Sequence, residues 1–453
     1  MELWAFIAVI LVFMEYIVAS CSDKNITERI RKVVEEDFPN EFLLQFPASE
    51  KAILERLNFE LPELVIINFS DEGLSSDYLR DQILQDSWLH NFGIVGLYDR
   101  KADNEEAVLE ANKDINLLTL IDYTRIESHL GKSLHIINTN RQLIFQGFLA
   151  DKLVNRMTGS FQIDNHDYLV APVYGGLLAI SLVRMGKIPL EDRHGVQMAI
   201  SELILNSIEH GNCGISYLEK SEWMVNGESI YELISERCRN PKIAAKKVIL
   251  NWDIDDETCK FTVRDEGMGF DVLAFRDKLK SDARDRLHGR GILMAQMVAN
   301  KLLYNKTGNQ VSLIINLHKD VENAAPAGFL DEEVIRVKAG DTLMRAGEFG
   351  DCIYYISSGK YTVYHRDNPV GRITPADIFM GEMAFLLNNA RSATVVADTP
   401  GQVIKIPRKS FIEVVKNYPQ YSIFLSKILA QKLVRSNESV AAEHTAAARE
   451  TGL

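Results

Sequence analysis

The sequence has few cysteines, no surplus of basic residues and no long apolar run. Its five cysteines, Cys21, Cys213, Cys238, Cys259 and Cys352, form no CxxC pair and no zinc-finger spacing, which excludes a thioredoxin-like motif and a structural zinc site. An odd, scattered set fits reduced thiols and a cytoplasmic location. The formal charge of -13 argues against a general nucleic-acid binder, which needs a basic face to neutralise phosphates. The apolar run Trp4–Met14 spans 11 residues. As a helix that is about 16 Å, against roughly 30 Å of bilayer hydrocarbon, so no membrane partner is expected.

The chain has 453 residues, enough for about three domains, each with its own core. At the N-terminus, Val18-Ala-Ser-Cys21 resembles a lipoprotein cleavage site, but the preceding residues carry Glu2 and no Lys or Arg, against the positive start of an export signal. The expectation is a natural start at Met14, with Tyr16–Ser20 as a buried first strand.

From 14 to 133, apolar strand-like runs (Tyr16–Ser20, Leu64–Phe69, Gly93–Leu97, Leu117–Ile121) alternate with helical patterns such as Ile26–Glu36, which implies a parallel sheet with covering helices. Pro62-Glu-Leu-Val-Ile-Ile-Asn68 resembles the third strand of a two-component receiver domain, where the last residue would be the phosphoacceptor aspartate. Here it is Asn68, Tyr98 stands where Ser or Thr is usual, and Ser22-Asp23 supplies at most one of two acidic residues. An amide is no phosphoryl acceptor. The reading is a flavodoxin-like pseudo-receiver used for docking, followed by a linking strand and helix over 134–157.

Residues 158–318 hold three motifs. Into and through Ser201–Asn212 the apolar Ala199, Ile200, Leu203, Ile204 and Ile208 recur at helical spacing, leaving Glu202, Asn206 and His210 on another face, with Gly211 positioned to end the helix in a left-handed conformation. A carboxylate and an amide one turn apart suit a magnesium ion held through oxygen and water. A strand pair, Lys247–Ile254 and Lys260–Arg264, then leads to Asp265-Glu-Gly-Met-Gly-Phe270. Asp265 can accept from an exocyclic amine, and Gly267 and Gly269 let the backbone approach a base and ribose. Third, His288-Gly-Arg-Gly-Ile292 opens an apolar helix whose amides can cradle phosphates.

Together these resemble the N, G1 and G2 boxes of the GHKL ATPase superfamily, an α/β sandwich, and within it the anti-sigma-factor serine kinases. The resemblance implies ATP and Mg2+ as cofactors. It implies Glu202 as general base, Asn206 as metal ligand and Asp265 as adenine reader, with Gly267, Gly269, Gly289, Arg290 and Gly291 contacting nucleotide. The segment Cys213–Ala245 is an insertion between the first box and the strands. No helical hairpin carrying a phosphoacceptor histidine precedes the boxes.

After a linker over 319–328, glycines punctuate short alternating strands over 329–436, the signature of a small antiparallel barrel or roll. In Phe379–Thr394, Glu382 can accept from a ribose hydroxyl and Arg391 can make a charge-assisted contact to a phosphodiester. Gly381 permits a turn that lets Met383 and Ala384 offer amides to the same phosphate, and Ser392 can add a hydroxyl. The GEMA element with RSAT nine residues after the Glu resembles the phosphate cassette of cyclic-nucleotide-binding domains. That implies cAMP or cGMP as regulator, with Ser410–Leu433 as hinge helices. The tail 437–453 has no room for a helix-turn-helix.

The expectation is a multidomain α/β and α+β signalling enzyme: pseudo-receiver, ATPase, then β-roll sensor with hinge helices. It would transfer phosphate from ATP to Ser or Thr of a protein substrate or antagonist of the anti-anti-sigma kind, under cyclic-nucleotide control. Rival readings are a non-catalytic nucleotide-dependent binding switch and an atypical sensor histidine kinase. The oligomeric state stays open, a dimer included.

Overall fold

A computed structural model describes residues 15–86, 89–90, 92–140, 143, 157–225, 229–255, 257–272, 300–317 and 325–430. The Met14 start, Gly289, Arg290, Gly291 and the tail 437–453 lie outside the described residues.

The first domain is a five-stranded parallel sheet in the order β2-β1-β3-β4-β5. Its strands are β1 (Glu15–Ser20), β2 (Phe42–Gln45), β3 (Leu64–Asn68), β4 (Gly93–Tyr98) and β5 (Leu117–Asp122). Every residue of β3 and β4 is buried, because helices cover both sheet faces, and this is why they read as unbroken apolar runs. Strand β2, not singled out in the sequence, is a four-residue edge strand, mostly half-buried. Helix α1 (Lys24–Asp37) is capped by Asp23, whose Oδ1 accepts from the Asn25 and Ile26 amides at 2.7 and 3.0 Å. Helices α2 (Glu50–Phe59), α3 (Ser76–Gln85) and α4 (Glu105–Ala111) follow. Helix α5 (Gly131–Thr139) runs across the boundary at 133 read from the sequence. It buries Leu134, Ile136 and Ile137 in the same core as α1.

The central domain is an antiparallel sheet in the order β6-β7-β8-β10-β9. Its strands are β6 (Met157–Asp164), β7 (Lys247–Ile254), β8 (Thr258–Arg264), β9 (Lys301–Tyr304) and β10 (Gln310–Asn316). In β7 and β8 buried and more exposed residues alternate, as a sheet covered on one face requires. The cover is α6 (Ala171–Arg184) and α7 (Arg193–Asn206). Helix α6 is buried almost all round because it also meets β5 of the first domain. A Cβ on Gly176 would stand 3.2 Å from the Leu118 carbonyl oxygen, and one on Gly175 would stand 2.7 Å from that of Gln197. The first two domains therefore share one apolar core. Among the described residues the helical stretch Asn165–Arg184 is long and apolar enough to cross a membrane, and 72% of it is buried inside the fold. The insertion forms α8 (Tyr217–Val225), α9 (Ile230–Arg237) and the short α10 (Pro241–Ala244).

The third domain is a β-roll of two four-stranded antiparallel sheets, β11-β18-β13-β16 and β12-β17-β14-β15. The first contains β11 (Glu333–Val337), β13 (Cys352–Ile356), β16 (Phe379–Met380) and β18 (Gly401–Pro407). The second contains β12 (Thr342–Met344), β14 (Tyr361–His365), β15 (Asn368–Ile373) and β17 (Thr394–Ala397). A short α11 (Glu382–Leu387) and α12 (Arg408–Asn417) precede a last described helix, α13, over 420–430, set off from α12 by Pro419. Phe329, Phe385, Phe411, Tyr421, Leu425 and Ile428 cluster around these helices together with Leu61 and Leu89 of the first domain.

Candidate functional site

The central site is built at the end of α7, where the helix widens into a π-turn over Ser207–Asn212. Asn206 Nδ2 donates to Glu202 Oε1 at 2.9 Å, which orients the carboxylate and leaves Asn206 Oδ1 as the acceptor. Both residues are half-buried on one helix face. Gly211 does not end the helix in a left-handed conformation, as expected from the sequence; it lies inside the π-turn and is absent from the positive-φ glycines. Space is the reason a glycine stands there: a Cβ would sit 2.6 Å from Asp265 Oδ1. A Cβ on Gly267 would in turn overlap the Gly211 carbonyl, so the two turns are in backbone contact. Gly269 has φ +76° and a Cβ there would overlap the Thr307 carbonyl, while Phe270 N donates back to that oxygen at 3.1 Å.

Asp265 is 7% exposed, and burial raises its pKa against the opposing pull of the Gly267 amide, which donates to Oδ1 at 2.8 Å. A buried carboxyl with a free oxygen lobe suits recognition of an amine edge. Behind it, Asn212 is wholly buried and ties the turn to the strands: Nδ2 donates to Asn165 Oδ1 at 2.9 Å and Oδ1 accepts from the Glu266 amide at 2.9 Å. Glu209, 1% exposed, accepts from Tyr168 OH at 2.6 Å and from Lys220 Nζ at 2.6 Å, which fastens the insertion to the π-turn. Sequence reasoning missed Glu209 and Asn212 as supports. The stretch Ser207–Asn212 is mostly polar, so nothing in it marked these two side chains as buried.

A cavity of about 460 Å³ lies against the outer face of α7, lined by His194, Met198 and Glu202 on one side and Tyr98, Glu105 and Arg125 on the other. It joins the Glu202 carboxylate to the carboxyl ends of β4 and β5. In the first domain itself, Asn68 is 1% exposed and accepts from Tyr123 OH at 2.7 Å. Ser22 is engaged with Asp71, Asp23 is spent on capping α1, and Tyr98 OH donates to Glu105 at 3.0 Å.

In the third domain Gly381, at φ +81°, opens α11 and brings Glu382, Met383 and Ala384 into its first turn. Glu382 and Ala384 are buried, while Met383 is 59% exposed. Arg391 is 5% exposed and lies under this turn: Nη1 donates to the Gly381 carbonyl and Nη2 to the Cys352 carbonyl, both at 2.7 Å. A Cβ on Gly381 would overlap the guanidinium, so the turn and the arginine are mutually fitted. Ser392 is exposed, with its carbonyl oxygen 3.2 Å from His365 Nδ1.

Residues 177–315 match the family described as Histidine kinase-like ATPase domain, and residues 334–418 match the Cyclic nucleotide-binding domain. The chain thus carries a histidine-kinase-like ATPase domain followed by a C-terminal cyclic nucleotide-binding domain. Over 131 residues it is 34% identical to the cAMP-dependent protein kinase regulatory subunit of Aspergillus fumigatus, covering 28% of this chain and 31% of that protein. The chain therefore spans less than a third of that curated relative. Two solved structures are similar to parts of it. The Thermus thermophilus catabolite activator protein is 19% identical over 26% of this chain and 57% of its own, with a TM-score of 0.24. A cyclic nucleotide-binding-like protein from Brucella abortus is 30% identical over 19% of this chain and 76% of its own, with a TM-score of 0.18.

Proposed function

We propose that the chain is a cyclic-nucleotide-regulated signalling protein whose central domain transfers phosphate from ATP to a Ser or Thr hydroxyl of a partner protein, in the manner of the anti-sigma-factor serine kinases. The observation that carries this reading is the Glu202–Asn206 pair on one face of α7, directly before the π-turn whose Gly211 packs against buried Asp265. A site that only bound nucleotide would need no carboxylate beside the amide.

Asn206 gives its amide nitrogen to Glu202, so its oxygen fits a magnesium ion. Such an ion is usually shared between one or two side chains and the substrate phosphates, and it would offset charge on the phosphoryl oxygens. Asp265 accepts from the adenine amine, and Gly267 and Gly269 admit the base and ribose. The acceptor hydroxyl gives its proton to Glu202 as its oxygen bonds to the γ-phosphorus; the bond from that phosphorus to the β,γ-bridging oxygen breaks and ADP leaves. The cavity against α7 provides a path to Glu202 from the side of the first domain, away from Asp265. Glu382, Arg391 and Ser392, with the amides of Gly381, Met383 and Ala384, form the cyclic-nucleotide cassette. The first domain is a pseudo-receiver of flavodoxin-like strand order, in which Asn68 replaces the phosphoacceptor.

The test is labelled ATP with cell extract and pure protein, with and without cAMP or cGMP. One or more partner proteins acquiring acid-stable phosphate on Ser or Thr is the expected result. Phosphate on histidine, or none while ATP binds, would replace this reading with one of its rivals.

A further inference from the structure

The sensor and the ATP-site helix are joined through the first domain, not only through the chain that connects them. On the sensor side, Tyr421 OH of α13 donates to Asp86 Oδ1 at 2.9 Å with both groups buried, and Lys427 Nζ donates to the Leu61 carbonyl at 2.8 Å. Leu61 and Leu89 complete the apolar cluster of Phe411, Leu425 and Ile428. These contacts seat α13 at the amino ends of β3 and β4.

On the ATP side, Arg193 is 0% exposed in the first turn of α7. Its Nη2 donates to the carbonyls of Lys113 and Ile115 at 2.8 and 2.5 Å, and Nη1 donates to Gln197 Oε1 at 2.9 Å. Gln197 Nε2 continues the line to the Leu118 carbonyl at 3.0 Å. Helix α7 is thereby fastened along β5, the edge strand of the first sheet, with Glu202 and Asn206 on its following turns. A buried guanidinium that satisfies three acceptors fixes its helix in one register, because sliding would strand the charge.

Charge links the two ends. Glu63, just before β3, interacts electrostatically with Lys427 of α13 and with Arg184, the last residue of α6. Burial raises the Glu63 pKa against both cations, and lowers those of Lys427 and Arg184. The Glu63 carboxyl of the first domain is thus within electrostatic reach of a cation from each of the other two domains, in surroundings where losing one partner is costly to the rest.

We propose that the first domain is the relay between the two nucleotide sites: α13 grips it at Leu61, Asp86 and Leu89, its β5 edge grips α7 through Arg193 and Gln197, and cyclic-nucleotide occupancy reaches Glu202 and Asn206 by this route. The inference rests on the proposed reading of both nucleotide sites and adds the path between them.

The experiment uses the full chain and the double variant Tyr421→Phe, Lys427→Met, which keeps ring and aliphatic bulk but removes both polar grips, with Asp86→Asn as a second variant. ATP affinity is measured by calorimetry with and without saturating cAMP or cGMP. In the parent the cyclic nucleotide changes it about 5- to 150-fold, a usual range for coupled sites. In the double variant the change falls to about twofold or less, the scatter expected of independent sites, while each nucleotide alone binds with parental affinity. Coupling that survives at the parental size in both variants overturns the relay. Amide hydrogen exchange gives a readout independent of ATP: cyclic nucleotide should alter protection at 57–64 and at 193–206 in the parent, and at neither in the double variant. Altered protection at 193–206 without any at 57–64, or its persistence in the variant, also overturns it. A parent that binds cyclic nucleotide but never ATP, with the exchange effects present, would instead leave the relay standing and remove the kinase reading.

Discussion

The two candidate nucleotide sites solve opposite packing problems. In the central domain the chemical groups Glu202 and Asn206 stand half-buried and bond chiefly to each other, while the turns around them are locked backbone to backbone through Gly211, Gly267 and Gly269. In the β-roll a candidate ligand-binding side chain itself holds the turn: Arg391 is buried and donates to the Gly381 carbonyl of the turn and to the Cys352 carbonyl of β13. A side chain that supports its site and also contacts the ligand ties ligand arrival to the packing of the turn, because its remaining N–H groups stay available to the ligand. A side chain supported by glycine packing need not move.

That contrast can be broken by substitution. The largest effect is expected at Glu202: Glu202→Gln should lower phosphate transfer by about 10²- to 10⁴-fold, the usual contribution of a general base, with ATP affinity little changed in calorimetry. A comparable loss of ATP binding would show that Glu202 holds the nucleotide. Next is Arg391→Ala, which should cost about 1.5 to 3 kcal/mol of cyclic-nucleotide binding and also lower the melting temperature, because the Gly381 and Cys352 carbonyls lose their donor. Asn206→Ala should weaken magnesium-dependent ATP binding yet alter stability by only about 0.5 kcal/mol or less, being half-exposed. If the two variants melt alike, the contrast fails.

Gly211→Ala should destabilise by about 1 to 3 kcal/mol, as overpacking does, and weaken ATP binding by displacing Asp265. Gly371→Ala, where an added Cβ meets nothing within 4 Å, is the control and should be silent in thermal denaturation. The smallest effect is at Asn68: acetyl phosphate should leave no acyl-phosphate on the first domain, and Asn68→Asp should not create one, because Asp23 is committed to the cap of α1 and Asp71 to Ser22. Mass spectrometry finding an adduct on the parent would show a phosphoacceptor elsewhere in that domain.

Much of the architecture was legible where one residue pattern has one physical solution. The runs of β3 and β4, the alternation in β7 and β8 and the helix over Ala199–Ile208 each followed from period and composition. Strand β2 escaped because four residues at a sheet edge show neither a full run nor an alternation. Arg193 and Gln197 escaped for another reason: on a helix, a polar pair one turn apart reads as a solvated face, and only the approach of β5 turns that face inward. Gly211 was noticed and its role misread, since the atom that forbids a side chain there belongs to Asp265 on a distant turn.

By itself the sequence determined the local element types, the glycines at the crowded turns and the chemical groups available at each nucleotide motif, because these depend on neighbours along the chain. The tertiary structure alone decided that the first two domains share a core, that a buried arginine fastens α7 to the residues leading into β5, and that the last described helix rests on the first domain. Periodicity marks which face of an element is apolar. What covers that face is set by the competition of all such faces for burial, and that competition is resolved only in three dimensions.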